Sequence, residues 1–254
     1  MKNRMILTPF FLDEPLAGLK DLAEQDWWLN DPALTEDDAQ GRMIELYRPL
    51  SQAVNTAVNK GERPVSIAGD CCTTIGVLAG LQQGGVNPTL IWFDAHGDFN
   101  NWESSPSGFL GGMPLAMIVG RGELRLSQGV GQTVLPESRV ILTDGRDLDP
   151  EEKIALDESA VIHLPDVALL CDRPLPAGPI YVHFDVDVID PQEAPAMNYL
   201  AEGGPAVDEL KRVFEYLSAS GQVAAVSLSS WNPEMDEDGR SRTAVMNLLE
   251  ILLQ

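Results

Sequence analysis

The segment Trp92-Phe93-Asp94-Ala95-His96-Gly97-Asp98-Phe99-Asn100 carries three potential metal ligands at a spacing of two. Where a backbone stays extended, residues two apart share a face, so Asp94, His96 and Asp98 are predicted to converge. A second segment, Phe184-Asp185-Val186-Asp187-Val188-Ile189-Asp190-Pro191, repeats the pattern with Asp185 and Asp187. Four carboxylates gathered at one place must titrate, splay into water or hold cations, because burying uncompensated charge is prohibitively costly. Two divalent ions would balance them. Solvated acidic loops are the plainer reading in a chain with 39 Asp and Glu, but both segments follow directly on apolar runs of buried-strand type. Oxygen-rich ligation with one imidazole suits manganese or a similar hard first-row ion better than a structural zinc. A two-metal site would activate a bridging water as the nucleophile.

Elements must exist to bring the two segments together. Apolar runs of strand length occur at Met5 to Phe11, Pro64 to Ala68, Thr89 to Phe93, Val140 to Thr143, Val161 to Leu164, Ile180 to Phe184 and Ala224 to Leu228. Between them lie amphipathic or longer stretches that read as helices: Pro15 to Gln25, Asp38 to Asn59, Thr73 to Gln82, Gly112 to Val119, Pro150 to Glu158, Ala206 to Ala219 and Arg242 to Leu253. Strands apolar throughout belong to a parallel sheet covered on both faces, so the spacing predicts a three-layer α/β/α sandwich. Its sites form at the carboxyl ends of the strands, where both acidic segments fall. The Gly- and Pro-containing loops look like loops at the sheet ends, which makes residues 1–254 one domain.

Composition narrows the partners. With 17 Lys and Arg against 39 Asp and Glu, the net charge is −22 and the pI about 4.3, so nucleic acid and anionic membranes are repelled. No apolar stretch approaches the ~18 residues of a membrane helix. Cys71 and Cys72 are adjacent and Cys171 is the only other cysteine, a usage that fits a reducing, cytoplasmic setting better than a disulfide framework. Lys2 and Arg4 precede an apolar run, yet Pro9, Asp13 and Glu14 interrupt it and favour a first strand over a signal peptide. Phosphate-loop and dinucleotide fingerprints are missing.

These residues resemble the arginase/agmatinase ureohydrolases. The family's D-A-H-x-D motif stands here as Asp94 to Asp98, and its [SF]-x-D-x-D-x-x-D-P motif as His183 to Pro191. Ser107-Gly108 with Gly112-Met113-Pro114-Leu115 is similar to its S-G-x-x-x-G-M-P-L stretch. Asp144-Gly145-Arg146, Pro195 to Tyr199 with Gly203 to Pro205, and Trp231-Asn232-Pro233 also fall in family order. The resemblance implies an eight-stranded, mostly parallel sheet and a dinuclear manganese centre. It further implies hydrolysis of a guanidino or related C–N bond in a small molecule by a homo-oligomer, trimeric or hexameric. Carried over position by position, it makes Cys71, Asp94, His96, Asp98, Asp185 and Asp187 the metal ligands. Asp98 and Asp187 are then the catalytic carboxylates, and Asn100, Ser107 and Ser230 the substrate contacts.

Three departures fall in that site. Cys71 replaces a histidine ligand in the turn Ala68-Gly69-Asp70-Cys71-Cys72, and a thiolate would bias the first position toward zinc or iron, or hold it weakly. Gly111 stands where a histidine moves protons, and has no side chain to do so. Ser230 replaces the glutamate that grips a guanidinium, offering a hydroxyl without counter-charge. Phe109 also replaces an asparagine, while Asn100 and Ser107 match positions that contact an α-carboxylate. Of the three histidines, His96, His163 and His183, His183 shares a strand face with Asp185 and reads as a satisfied core residue, an outer hydrogen-bond partner or an unusual ligand. The leading expectation is a metal-dependent hydrolase of a linear C–N bond with altered substrate recognition. The alternatives are a non-catalytic homologue serving as a partner or regulatory subunit, and a metal-free amidine hydrolase with Cys71 or Cys72 as nucleophile.

Overall fold

The computed structural model describes residues 1–254. In chain order the elements are β1 (Lys2–Thr8), a small antiparallel hairpin of β2 (Phe10–Phe11) and β3 (Glu14–Pro15), β4 (Trp28–Leu29), α1 (Ala39–Asn59), β5 (Glu62–Ala68) and α2 (Thr73–Gln83). They continue with β6 (Thr89–His96), α3 (Pro114–Ile118), α4 (Arg125–Val130), β7 (Val140–Asp147), α5 (Pro150–Asp157) and β8 (Ile162–Leu164). The last four are β9 (Ile180–Asp185), α6 (Val207–Ala219), β10 (Val223–Ser229) and α7 (Arg240–Leu252). Eight strands form one parallel sheet in the order β4-β1-β5-β10-β9-β6-β7-β8. The acidic strands β6 and β9 are neighbours in register, with Trp92 opposite His183 and Phe93 opposite Phe184.

Helices cover both faces, as continuously apolar strands require. On one side α1 and α2 pack over Ile6, Leu90, Trp92 and Tyr181; on the other α6 and α7 pack over Leu7, Ile91, Phe93 and Phe184. The helix α2 is buried along almost its whole length because it lies between the sheet and α1. Gly80 allows that approach, since a Cβ there would sit 2.4 Å from the Ser51 carbonyl oxygen of α1. Helix α1 starts where Asp38 accepts the Gly41 N–H at 3.0 Å, the N-cap pattern for a short acidic side chain.

The three-layer reading stands, and the elements that differ do so for local reasons. Met5 to Phe11 is not one strand: Pro9 ends β1 after Thr8, and Phe10–Phe11 turn back into the hairpin. Pro15 to Gln25 forms only a 3-10 segment, Ala17–Leu22. The edge strand β4 is two residues long and α4 only six, too short to give a readable period.

Candidate metal centre

The carboxyl ends of β5, β6, β9 and β10 enclose a cavity of about 440 Å³ lined by 19 residues. Asp94, His96, Asp98, Asp185 and Asp187 all line it, with Cys71, Asn100, Ser107, Gly111 and Ser230. The candidates read from the sequence thus line one cavity, although not entirely by strand alternation, since Asp187 lies in a 3-10 turn after β9. Asp94 and His96 end β6 around a register irregularity, and Asp98 lies beyond the strand with φ of 50°. Asp98 reaches the cluster through a left-handed residue rather than by strand alternation.

Each carboxylate is aimed by backbone and neighbouring side chains. Asp94 accepts the indole N–H of Trp92 at 3.0 Å on Oδ2 and the backbone N–H of His96 at 2.7 Å on Oδ1. Asp187 accepts the Ala95 N–H at 3.0 Å, tying the two acidic segments together. Asp185 accepts the Asp187 N–H at 3.0 Å, the Ser229 hydroxyl at 2.8 Å and the Ser230 hydroxyl. Arg146 fastens the loop after β9 through the carbonyls of Asp187 at 2.9 Å and Val188 at 3.1 Å, and pairs with Asp144. Asp98 differs from the others, because its Oδ2 is buried and has no partner in the protein.

The electrostatics fit a cation centre. Asp94, Asp98, Asp185 and Asp187 are each 5% exposed or less. Burial, then the neighbouring Asp185 charge, raises Asp94; burial and Asp94 push Asp98 well above the usual carboxylate range. Burial and Asp187 do the same to Asp185. Asp187 is raised by burial and by Asp94 to about 6, with His96 opposing the rise. Burial alone would lower His96, but its Nδ1 lies 2.8 Å from Asp187 and 3.4 Å from Asp94, which together push it up to about 12. Without cations this cluster thus keeps protons that divalent ions would displace. Two sets of donor atoms lie within 4.8 Å of one another: Asp94, His96 and Asp187, and Asp94, His183 and Asp185.

Cys71 does not belong to either compact set. Its thiol is buried and donates to the Gly111 carbonyl at 3.2 Å. The hydrogen bond with Cys72, together with burial, pushes the Cys71 thiol well above its ordinary value. A thiol so held is a poor nucleophile, which argues against a cysteine hydrolase. Asn100 is also committed, donating to Asp149 at 3.0 Å and accepting from Ser104 at 2.9 Å. Ser107 sits at the exposed rim, accepting the Phe109 N–H at 3.2 Å.

Three features of the cavity were not anticipated from sequence. An aromatic lip of Phe11, Phe109 and Tyr199 lines it, with Phe109 and Tyr199 centroids 4.9 Å apart. These residues lie in three distant segments, so no local pattern pairs them. Acids from further segments, Asp70, Asp147, Asp149 and Glu152, extend the negative wall. For the last two a signal existed, since Asp149-Pro150-Glu151-Glu152 has the spacing of a capping box; Asp149 N–H donates to Glu152 at 3.1 Å, and Glu152 also accepts the Phe99 N–H at 2.8 Å. The third is at His183, which lies buried on the Asp185 face as expected but leaves Nε2 without a partner in the protein; burial pushes its imidazole down to about 3.

The similarity to known proteins spans the segments that line this cavity from Asp70 to Ser230. The Arginase family profile matches residues 21–253. The arginase of Bacillus caldovelox is 31% identical over 224 residues, covering 82% of this chain and 74% of that protein. In fold, the crystal structure of arginase from Bacillus subtilis superposes with a TM-score of 0.82 at 24% identity, covering 100% of this chain and 98% of the other. Formimidoylglutamase from Bacillus subtilis superposes with a TM-score of 0.75 at 16% identity, covering 100% and 86%. With a profile match across most of its length and relatives of this identity, the chain belongs to the arginase family.

Proposed function

We propose that this chain is a divalent-metal-dependent hydrolase of a linear C–N bond in a guanidino, formimino or related amidine compound, with substrate recognition altered from that of the arginases. The observation that carries the reading is the cavity wall, which holds eight carboxyl side chains and no lysine or arginine. Such a wall favours bound cations and attracts a cationic substrate. Asp94, His96, Asp98, Asp185 and Asp187 are the residues to hold one or two ions. The oxygen-rich donor set favours Mn2+, and Cys71 beside it leaves Zn2+ or Fe2+ open. When bound, the ions would supply a nucleophilic water at neutral pH and polarise the carbon under attack.

The protein's own groups account for the proton. Asp98, whose Oδ2 has no other partner, takes the proton released as the water oxygen bonds to carbon. Asp98 then gives that proton to the departing nitrogen as the C–N bond breaks. Asp187, hydrogen-bonded to Ala95 and His96, keeps the imidazole oriented. The aromatic lip narrows the entrance and offers π faces to a flat cation. Family resemblance supports a homo-oligomer, trimer or hexamer, and the cysteine usage supports a reducing, cytoplasmic setting; no helix here is long and apolar enough to cross a membrane.

Arginine and agmatine are expected to be poor substrates, because Ser230 brings no charge and its hydroxyl is spent on Asp185. Loss of one charge-assisted contact costs about 1.5–3 kcal/mol, or roughly one to two powers of ten in specificity. Metal-loaded protein assayed on guanidino, formimino and ureido compounds for urea, ammonia or formamide release tests this. Arginine turnover at ordinary arginase rates overturns the altered recognition. One observation favours a second reading, a non-catalytic partner or regulatory subunit: the ring of Phe109 fills the space beside Gly111 where a proton-carrying side chain would stand. Full metal loading with no turnover on any member of the panel would select it.

A further inference from the structure

Strand β9 carries His183 two residues before Asp185, on the same face and one step further behind the cavity. Its ring is 0% exposed and lies against Trp92, its register partner on β6, with centroids 3.8 Å apart. Nδ1 is held between the Thr74 hydroxyl at 3.0 Å and the Ser227 hydroxyl at 2.9 Å. Ser227 is itself fixed by the Tyr181 hydroxyl at 2.9 Å. Nε2 is buried without any partner in the protein. A nitrogen of this ring and one oxygen each of Asp94 and Asp185 lie within 4.8 Å of one another, and since Nδ1 is engaged, Nε2 is the nitrogen available.

Packing alone does not account for this. An imidazole serving only as core would have both nitrogens satisfied, because an unpaired buried polar atom costs about 1–3 kcal/mol. Nε2 makes no hydrogen bond to either carboxylate. Ligands bonded to one cation at about 2.0–2.2 Å lie no more than about 4.4 Å apart, so small side-chain shifts bring these three atoms onto a single ion. If Nδ1–H donates to one of its two hydroxyls, Nε2 keeps a lone pair free for a cation, the tautomer that ligating imidazoles ordinarily adopt.

We infer that His183 is a direct metal ligand through Nε2, holding an inner ion with Asp94 and Asp185 while Asp94, His96 and Asp187 hold the outer one. Asp94 serves both sets. The imidazole missing at Cys71 is then supplied from β9 instead, and each ion keeps one. Thr74 and Ser227 are positioning residues that set the tautomer. The inference rests on the proposal that this centre holds metal, and goes beyond it in naming the ligand.

Protein labelled with 15N-histidine and loaded with 113Cd2+ reads the bond directly. Only three histidines are present, and His163 Nε2 is engaged by the Asp144 carbonyl at 2.8 Å. The expected result is one-bond 15N–113Cd coupling on one nitrogen of His96 and on Nε2 of His183. Coupling on His96 alone overturns the inference and leaves the metal centre intact. If the wild-type protein binds neither 113Cd2+, Mn2+ nor Zn2+, both this inference and the proposed function fall.

His183→Asn keeps a side-chain amide near Nδ1 while removing Nε2. Calorimetric titration with Mn2+ and Zn2+ should show one of two sites weakened by more than about 100-fold, beyond the 10–100-fold typical of losing an outer hydrogen bond. His183→Gln, which can place an oxygen near the lost nitrogen, should recover part of the Mn2+ affinity. Wild-type stoichiometry and affinity in the Asn variant would overturn the inference. Circular dichroism of the metal-free variants checks folding, and the cadmium experiment needs no variant at all.

Discussion

Glycine at position 111 is predicted to be required by the ring of Phe109 and not by its own backbone. Gly111 lies in the 3-10 turn Leu110–Gly112 and does not adopt a positive φ, so alanine fits the backbone. A Cβ there, however, would stand 2.3 Å from Phe109 Cε1 and 2.5 Å from Cζ, where carbon atoms prefer about 3.5–4.0 Å. The ring must therefore move by more than 1 Å, away from its place against Tyr199 at 4.9 Å and Phe11 at 6.3 Å. Overpacking of this kind costs roughly 1–3 kcal/mol, of which a disrupted aromatic pair is about 0.5–1.5. In a Phe109→Ala background the clash is gone, and Gly111→Ala should instead stabilise by about 0.4–1 kcal/mol through the unfolded chain. Urea denaturation of the four proteins at matched metal loading gives the coupling energy, expected to be about 2 kcal/mol or more. Equal cost of Gly111→Ala in both backgrounds would refute the reasoning. The same logic makes Gly111→His tolerable only with Phe109→Asn or a smaller residue.

Asp185→Asn should abolish the thermal stabilisation given by millimolar Mn2+ or Zn2+ while leaving the metal-free fold intact; an unchanged metal response places the site elsewhere. Metal-free protein should lose stability from pH 5 to pH 8. Asp187 is raised to about 6 from an ordinary value of 3.8, so its stabilisation is full below about 4 and lost as pH rises through 6, on the order of 3 kcal/mol. His96, raised to about 12 from 6.5, is stabilising below 6.5 and loses that contribution toward 12, a slope of the same sign. Stability measured by denaturant at several pH values, rising instead of falling over this range, would count against the buried cluster; added metal should tighten and offset the loss as pH increases. Cys71→His should shift preference toward Mn2+ if position 71 is a ligand, and bound metal should then shield Cys71 but not the exposed Cys171 from iodoacetamide. Metal-independent alkylation of Cys71 would remove it from the ligand set.

Much of the site was legible because its residues sit on contiguous strand ends. Apolar flanks placed Asp94, His96 and Asp185 at buried strand ends, with Asp187 in the 3-10 turn just after β9, and parallel topology set β6 beside β9. Asp98 was found by spacing, but its left-handed backbone could not be read, since the residue that adopts it is an aspartate and the neighbouring Gly97 is not in that conformation. Phe11, Phe109 and Tyr199 meet only in three dimensions, and the two-residue β4 gains its strand character from pairing with β1 rather than from its own pattern. The commitments of Ser230 and Asn100 are likewise tertiary: a hydroxyl and an amide that look available in the sequence are spent on Asp185 and Asp149.

The departures from the family pattern also constrain one another, which bears on whether the site has decayed. Cys71 donates to the carbonyl of Gly111, and Gly111 makes room for the ring of Phe109. Phe109 in turn packs against Tyr199 and stacks on Phe11 in the cavity wall. Ser230, held at φ of 69°, donates to Asp185, a costly backbone state for a non-glycine residue that its surroundings must enforce. Loss of ligands without compensation would leave polar groups stranded wherever partners had disappeared. Instead each replaced side chain is engaged, and the buried atoms left free in the cluster are Asp98 Oδ2 and His183 Nε2. A carboxylate oxygen and an imidazole nitrogen are both atoms that can bind a cation, so the unpartnered atoms fall among the candidate site residues and not where the substitutions were made.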